Sequence, residues 1–236
     1  MSVNGKRFIE LLKKREKLEG LRIANMQRNL AVSLYAVRKN LEDLTFLINK
    51  YESNLELWSV ENRDKYEEGL WELHRLLQNY LSSIYSLIQH TVKFCRDLNC
   101  AELDSAYRKK KDELLNWDCA KFVRDLRTFS EHIGLPLLKG VINISKTEFK
   151  QSILLQKDEL LKWQNWSNSS KRYIASKKEI DLMTILKEYQ GLIADFYLWF
   201  YKKTCQIYEK QLAELSIIEI ELSRCGPQSG TPRNTV

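Results

Sequence analysis

Leu30-Ala31-Val32-Ser33-Leu34-Tyr35-Ala36-Val37-Arg38-Lys39-Asn40-Leu41-Glu42-Asp43-Leu44-Thr45-Phe46-Leu47-Ile48-Asn49-Lys50-Tyr51 carries apolar side chains at Leu30, Leu34, Val37, Leu41, Leu44, Ile48 and Tyr51. The steps alternate between four and three residues. That is the spacing of one helix face, whereas a strand alternates every second residue. A second stretch repeats the pattern with Tyr66, Leu70, Leu73, Leu77, Tyr80, Ile84 and Leu87, and then Thr91, Phe94 and Leu98. Residues 54–59 connect the two. Long helices joined by a short connection pack antiparallel. The expected fold is therefore mainly α, an antiparallel helical bundle with two long central helices.

The rest of the chain extends this reading. Residues 101–116 hold the run Arg108-Lys109-Lys110-Lys111, and a shorter helix follows over about residues 119–133. Gly134 suits the position just past a helix end, and Pro136 prevents continuation. Val141-Ile142-Asn143-Ile144-Ser145 and Phe149-Lys150-Gln151-Ser152-Ile153-Leu154-Leu155 flank the turn-like Lys146-Thr147-Glu148, so a β-hairpin is expected near 141–156. Short helical turns are expected around Trp163 and Trp166, and a loop or helix cap at Ser167-Asn168-Ser169-Ser170. A long C-terminal helix spans about 181–222, with Leu182, Leu186, Tyr189, Ile193, Phe196 and Phe200 on one face. The tail 226–236, rich in Gly, Pro, Ser and Thr, reads as disordered. No internal repeat or linker divides the chain, so residues 1–225 are expected to be one domain.

Composition excludes several classes. The 236 residues include 44% apolar and 29% charged side chains, which is a globular balance. Only eight Gly and three Pro occur, too few for the turns of a sandwich, barrel or doubly wound sheet. No apolar run is long enough to span a membrane, and the start Met1-Ser2-Val3-Asn4-Gly5-Lys6-Arg7 lacks the apolar core of a signal peptide. Five cysteines, an odd number without CxxC spacing, read as reduced thiols of a cytoplasmic protein. With three histidines and no His pair at i, i+4, no metal or other cofactor is expected. There is no GxGxxG, Walker A or HExxH run. The net charge is +7, of which residues 1–50 supply +6 through eleven basic and five acidic side chains. That end suits phosphate or an anionic membrane surface, or is the solvated face of an amphipathic helix.

The segment that carries chemistry is Phe122-Val123-Arg124-Asp125-Leu126-Arg127-Thr128-Phe129-Ser130-Glu131-His132-Ile133-Gly134-Leu135-Pro136. Arg127 and His132, four residues between them, resemble the Arg-x4-His signature of the HEPN superfamily, all-helical domains that carry the motif near the end of a late helix. The resemblance covers roughly residues 20–136. A hairpin insertion over 137–160 and a closing helix over 180–222 would complete the domain. This chain has Thr128 where the family usually has Asn, Asp or His after the Arg.

The resemblance implies a metal-independent endoribonuclease, of a toxin or defence type, acting as a homodimer through the Arg127–His132 helix. The residues suit that chemistry. Metal-free RNA cleavage by the adjacent 2′-OH needs a proton acceptor, a proton donor and a cation at the phosphate. His132 can exchange protons near neutrality, favoured toward the charged form by the negative end of its helix. Arg127 can clamp a phosphate with its planar fork. Thr128 and Ser130 are supporting candidates. Arg108, Lys109, Lys110, Lys111 and Arg124 are candidate RNA contacts. Five residues along a helix amount to about 500° and about 7.5 Å of rise, so the two side chains diverge by about 140°. A cleft shared across a two-fold axis removes that difficulty.

The same residues admit plainer roles. His132 could cap the last helical carbonyls. Arg127 could pair with Asp125, Glu131 or an acid of the net-negative stretch 51–100, and Thr128 and Ser130 could be ordinary surface residues. His74 and His90 read as packing or surface residues. Trp163, Trp166, Tyr197, Trp199 and Tyr201 read as core packing against the hairpin rather than a base-stacking platform, and Cys119 has no His beside it in sequence. Two alternatives to the nuclease follow. One is a non-catalytic HEPN-like module that binds RNA, a nucleotide or a partner protein. The other is a helical scaffold or membrane-surface protein that uses Lys13, Lys14 and Arg15.

Overall fold

The computed structural model describes residues 3–144 and 149–225. The turn expected at Lys146-Thr147-Glu148 and the tail 226–236 lie outside the described residues. The described residues divide into two compact units, one within residues 30–200 and one of residues 3–29 with 201–225. The described residues are mainly helical, with one three-stranded sheet.

The larger unit is built on the two long helices read from the sequence. Helix α2 (Glu19–Ser53) enters it at Leu30, and α3 (Arg63–Leu98) follows two 3-10 turns at Leu55–Trp58 and Val60–Asn62. Ser33 meets His90 (Oγ to Nδ1, 2.7 Å), Asn40 donates to the Asn79 carbonyl, and the Tyr51 hydroxyl donates to the Lys65 carbonyl at 2.9 Å. Residue numbers rise along one helix as they fall along the other, so the pair is antiparallel. Val37, Leu41, Leu44, Ile48 and Tyr51 are all buried, as are Leu73, Leu77, Tyr80, Ile84 and Leu87.

The helices approach closely where Tyr51 crosses Gly69. A Cβ at Gly69 would lie 1.4 Å from the Tyr51 hydroxyl oxygen, and Tyr51 is itself buried. Gly69→Ala is therefore expected to cost about 1–3 kcal/mol through overpacking, even though alanine favours a helix by about 1 kcal/mol. A lowered urea midpoint would show it, and a midpoint equal to or above wild type would refute it.

The C-terminal helix is two helices, α8 (Leu182–Ile207) and α9 (Glu209–Cys225). The bonds Tyr208 N–H to Thr204 O and Leu212 N–H to Tyr208 O continue across the break, which no Pro or Gly signals. Within the larger unit α8 runs alongside α3 in the same direction. Tyr197 meets Thr91 (2.9 Å between hydroxyls), and Phe200 meets Phe94 edge-on three residues later. Tyr107 of α4 (Ala101–Leu114) adds edge contacts to Phe196 and Phe200.

The hairpin pairs β1 (Leu138–Ile144) with β2 (Phe149–Leu155) antiparallel, from Leu138 opposite Leu155 to Ile144 opposite Phe149. It begins three residues earlier than the sequence reading. A two-residue strand, β3 (Ile180–Asp181), pairs with the far edge of β2, so β2 is the central strand. The outward N–H groups of the opposed pair Gly140 and Ile153 find side chains. Gly140 donates to the Tyr66 hydroxyl at 2.8 Å and Ile153 to the Glu52 carboxylate at 3.2 Å. Burial pushes the Glu52 carboxyl above its usual range, against the lowering effect of that bond.

In the smaller unit α1 (Val3–Glu16) packs on α9. Leu11 is buried with Ile218 and Leu222, and Phe8, Leu12, Leu18 and Cys225 close around them. Arg7 and Arg15 pair with Glu221 and Glu219.

Candidate functional site

Helix α5 (Asp118–His132) carries the motif and ends where the sequence says it should. The Phe129 carbonyl accepts from the N–H groups of Ile133 and Gly134, and Gly134 has φ +148°, a conformation that favours glycine. Cys119, Phe122, Val123, Leu126 and Phe129 form its buried face. Phe122 and Phe129 both stack on Trp166, with centroids 5.6 Å away, and Phe122 also stacks on Tyr173 at 5.0 Å. Trp166 donates its indole N–H to the Leu160 carbonyl, at the end of the short helix α6 (Lys157–Leu161). Trp163 and Trp166 thus pack in the connection after α6 rather than within helical turns.

A buried carboxylate fixes α5 to α7 (Asn168–Ser176). Asp125 accepts from the Ser167 N–H at 3.1 Å and the Ser170 hydroxyl at 2.7 Å on one oxygen. Its other oxygen accepts from Arg124 at 2.9 and 3.1 Å. Ser167 is the N-cap of α7 and accepts from the Ser170 N–H, so Asp125 lies at the positive end of that helix. Burial opposes ionisation of Asp125, but these hydrogen bonds outweigh it and hold the carboxyl below its usual range. The sequence offered Asp125 only as one possible partner for Arg127.

Arg127 turns instead toward α3. Its guanidinium carbon lies 3.6 Å from the centroid of the Tyr85 ring, and Nη2 is ion-paired with Glu131 on the same helix. The side chain is 21% exposed, and Nε is buried without a hydrogen-bond partner among the described residues. His132 is the last residue of α5 and is exposed, and its imidazole has no hydrogen-bond partner among the described residues. The capping role for His132 is thus not the one it takes. Thr128 donates to the Arg124 carbonyl and Ser130 to the Arg127 carbonyl, both within α5. Beyond the helix, Ile133, Leu135 and Leu137 are exposed at 59, 39 and 48%.

The other candidates are distributed as follows. Arg124 is engaged by Asp125. Lys110 pairs with Glu113 at 3.0 Å. Arg108 and Lys109 are exposed, Lys111 is half-buried, and none of these three has an ion-pair partner among the described residues. His74 bridges α3 to the segment after the motif, meeting the Pro136 carbonyl at 3.1 Å and the Leu70 carbonyl at 2.6 Å. Cys119 is buried, and burial pushes its thiol up to about 12, with Glu188 adding to the effect. A thiol so placed stays protonated and is no nucleophile. An open groove of about 580 Å3 beside Tyr51, Gly69, Trp71 and Arg75 includes no motif residue.

One residue of this site was missed in the sequence. Tyr85 lies 42 positions before Arg127, off the apolar seam, and carries no local signal. Glu131 is one of the partners the sequence offered for Arg127, and its i, i+4 spacing is the signal. Among the described residues no group of three or more His, Cys, Asp and Glu could hold a metal ion, and no helix is long and apolar enough to cross a membrane. No protein-family model, curated protein sequence or solved structure matches the chain.

Proposed function

We propose that the exposed end of α5 is the active site of a metal-independent endoribonuclease that works as a homodimer. The 2′-oxygen attacks the adjacent phosphorus, and the bond from phosphorus to the 5′-oxygen breaks. One His132 accepts the 2′-OH proton, and the partner copy's equivalent imidazole protonates the leaving 5′-oxygen. Arg127 bears the charge that builds on the phosphoryl oxygens. The products are a 2′,3′-cyclic phosphate and a 5′-hydroxyl.

The observation that carries the reading is His132 itself. A solvent-facing imidazole without a hydrogen-bond partner among the described residues ends a firmly anchored helix, about a turn and a half from a braced guanidinium. The exposed Ile133, Leu135 and Leu137 beside it suit an interface with a second copy. Arg108, Lys109 and Lys111 are free to meet RNA phosphates.

The Arg127–Glu131 ion pair favours a second reading, in which the motif is structural and the protein binds RNA, a nucleotide or a partner without cutting. Cleavage of mixed RNA in EDTA, at concentrations where the dimer is verified by sedimentation, separates the two. Cleavage that leaves cyclic phosphate ends and requires His132 is expected. Salt-sensitive binding without cleavage would transfer the assignment to the binding module, and cleavage independent of His132 would remove the motif from the mechanism.

A further inference from the structure

We propose that Glu131 occupies the seat of a substrate phosphate on Arg127 in the resting protein, and that the Tyr85 ring keeps that seat in place when the carboxylate leaves. The proposal rests on the ribonuclease reading only for the identity of the incoming anion, a phosphodiester of RNA.

A guanidinium offers anions its edges, and here a ring takes its face and burial withdraws Nε. The Tyr85 ring centroid lies 3.6 Å from the guanidinium carbon, and Nε is buried with no partner among the described residues. The terminal nitrogens remain for an anion, and Glu131 holds one of them. The site thus already binds an oxyanion, supplied by its own helix. Carboxylate and phosphodiester both present two oxygens to the same planar fork, so each competes directly with the other.

Glu131 is poorly placed to stay. It belongs to the last turn of α5, where the helix presents its negative end. Its partner precedes it by four residues, the weaker order for such a pair. The Glu131 side chain is 30% exposed, so solvent screens the attraction and water can replace it. Tyr85 is placed differently. It belongs to α3, and its contact with Arg127 uses the ring face and not the hydroxyl, which has no partner among the described residues. That contact does not depend on which anion is bound. A stacked guanidinium keeps its plane as the anion exchanges, which is what positioning a reacting phosphate requires. Tyr85 and Glu131 are positioning residues and need not touch the reacting atoms.

The test uses the full chain and one short RNA in two forms, native for cleavage and 2′-O-methylated for binding without cleavage. Glu131→Gln removes the competing charge and keeps the shape. It is expected to lower KM for the native RNA and Kd for the methylated RNA together, by about two- to fivefold, with the change in KM rather than in kcat. Tyr85→Leu is expected to lower kcat and weaken binding, and Tyr85→Phe, which keeps the ring face, to restore both. An ion pair that serves stability alone predicts a lower Tm for Glu131→Gln with Kd unchanged, and that result overturns the proposal, as does a methylated RNA that does not bind. If wild type fails to cleave but Glu131→Gln tightens binding, the ribonuclease reading fails and this one stands. If cleavage requires His132 but Glu131→Gln changes neither KM nor Kd, the reverse holds.

Discussion

His132→Ala is expected to slow RNA cleavage by about 10²–10⁴-fold and to leave the urea midpoint unchanged within error. Both halves follow from one placement. The imidazole is exposed, ends its helix and has no hydrogen-bond partner among the described residues, so truncating it disturbs no packing and orphans no donor. Surface changes of that kind stay within about 0.5 kcal/mol. The rate loss is the whole contribution of a positioned acid and base, because a homodimer loses both imidazoles at once. Arg127→Ala is a less clean experiment. It removes the stack on Tyr85 and leaves Glu131 unpaired at the negative end of α5, so stability and rate would fall together. A His132→Ala protein that unfolds at lower urea would mean the side chain is structural after all. One that cleaves at the wild-type rate would mean the motif does not act on RNA.

The helical frame was legible because its signal is local and repeated. Six of the seven apolar positions between Leu30 and Tyr51 are buried, and Leu34 is half-buried. The same is true of Leu182, Leu186, Tyr189, Ile193, Phe196 and Phe200, which all face inward. Periodicity reports which face is buried, and it needs several turns to do so. It therefore has nothing to say of β3, two residues long, whose existence depends on the free edge of β2. It is equally silent on the break at Tyr208, since apolar spacing continues through it and no helix-breaking residue marks it.

The candidate site divides along the same line. The end of α5 was readable from Gly134 and Pro136, and the Ser167-Asn168-Ser169-Ser170 stretch from its capping residues. Glu131 was readable as a partner of Arg127, but the rest of what holds the motif was not, because those partners come from far along the chain. Tyr85 meets Arg127 across 42 residues, and Ser167 and Ser170 reach Asp125 across 42 and 45. An acid on an amphipathic helix reads as a surface residue. Asp125 is buried only because the N-terminus of α7 brings donors to meet it.

That burial makes Asp125 the place where a conservative change should cost most. The hydrogen bonds it accepts come from the Ser167 N–H, the Ser170 hydroxyl, and Nε and Nη2 of Arg124. Alanine would leave these donors without their acceptor, a loss of about 3 kcal/mol for hydrogen bonds to a buried charge. Asparagine should fare little better, since its amide nitrogen would meet donors with a donor. The pH dependence has a fixed sign. The folded-state pKa of Asp125 is lowered, so its contribution is fully present above the unfolded value of about 3.9 and is lost as pH falls through the lower folded value. A protonated Asp125 resembles asparagine. Wild type and Asp125→Asn should therefore differ in unfolding free energy at pH 7 and converge as pH drops below about 4. Urea titrations of both proteins at pH 7, 4 and 2.5 measure this. A gap that stays constant across that series would show that Asp125 acts through its shape and not through its charge.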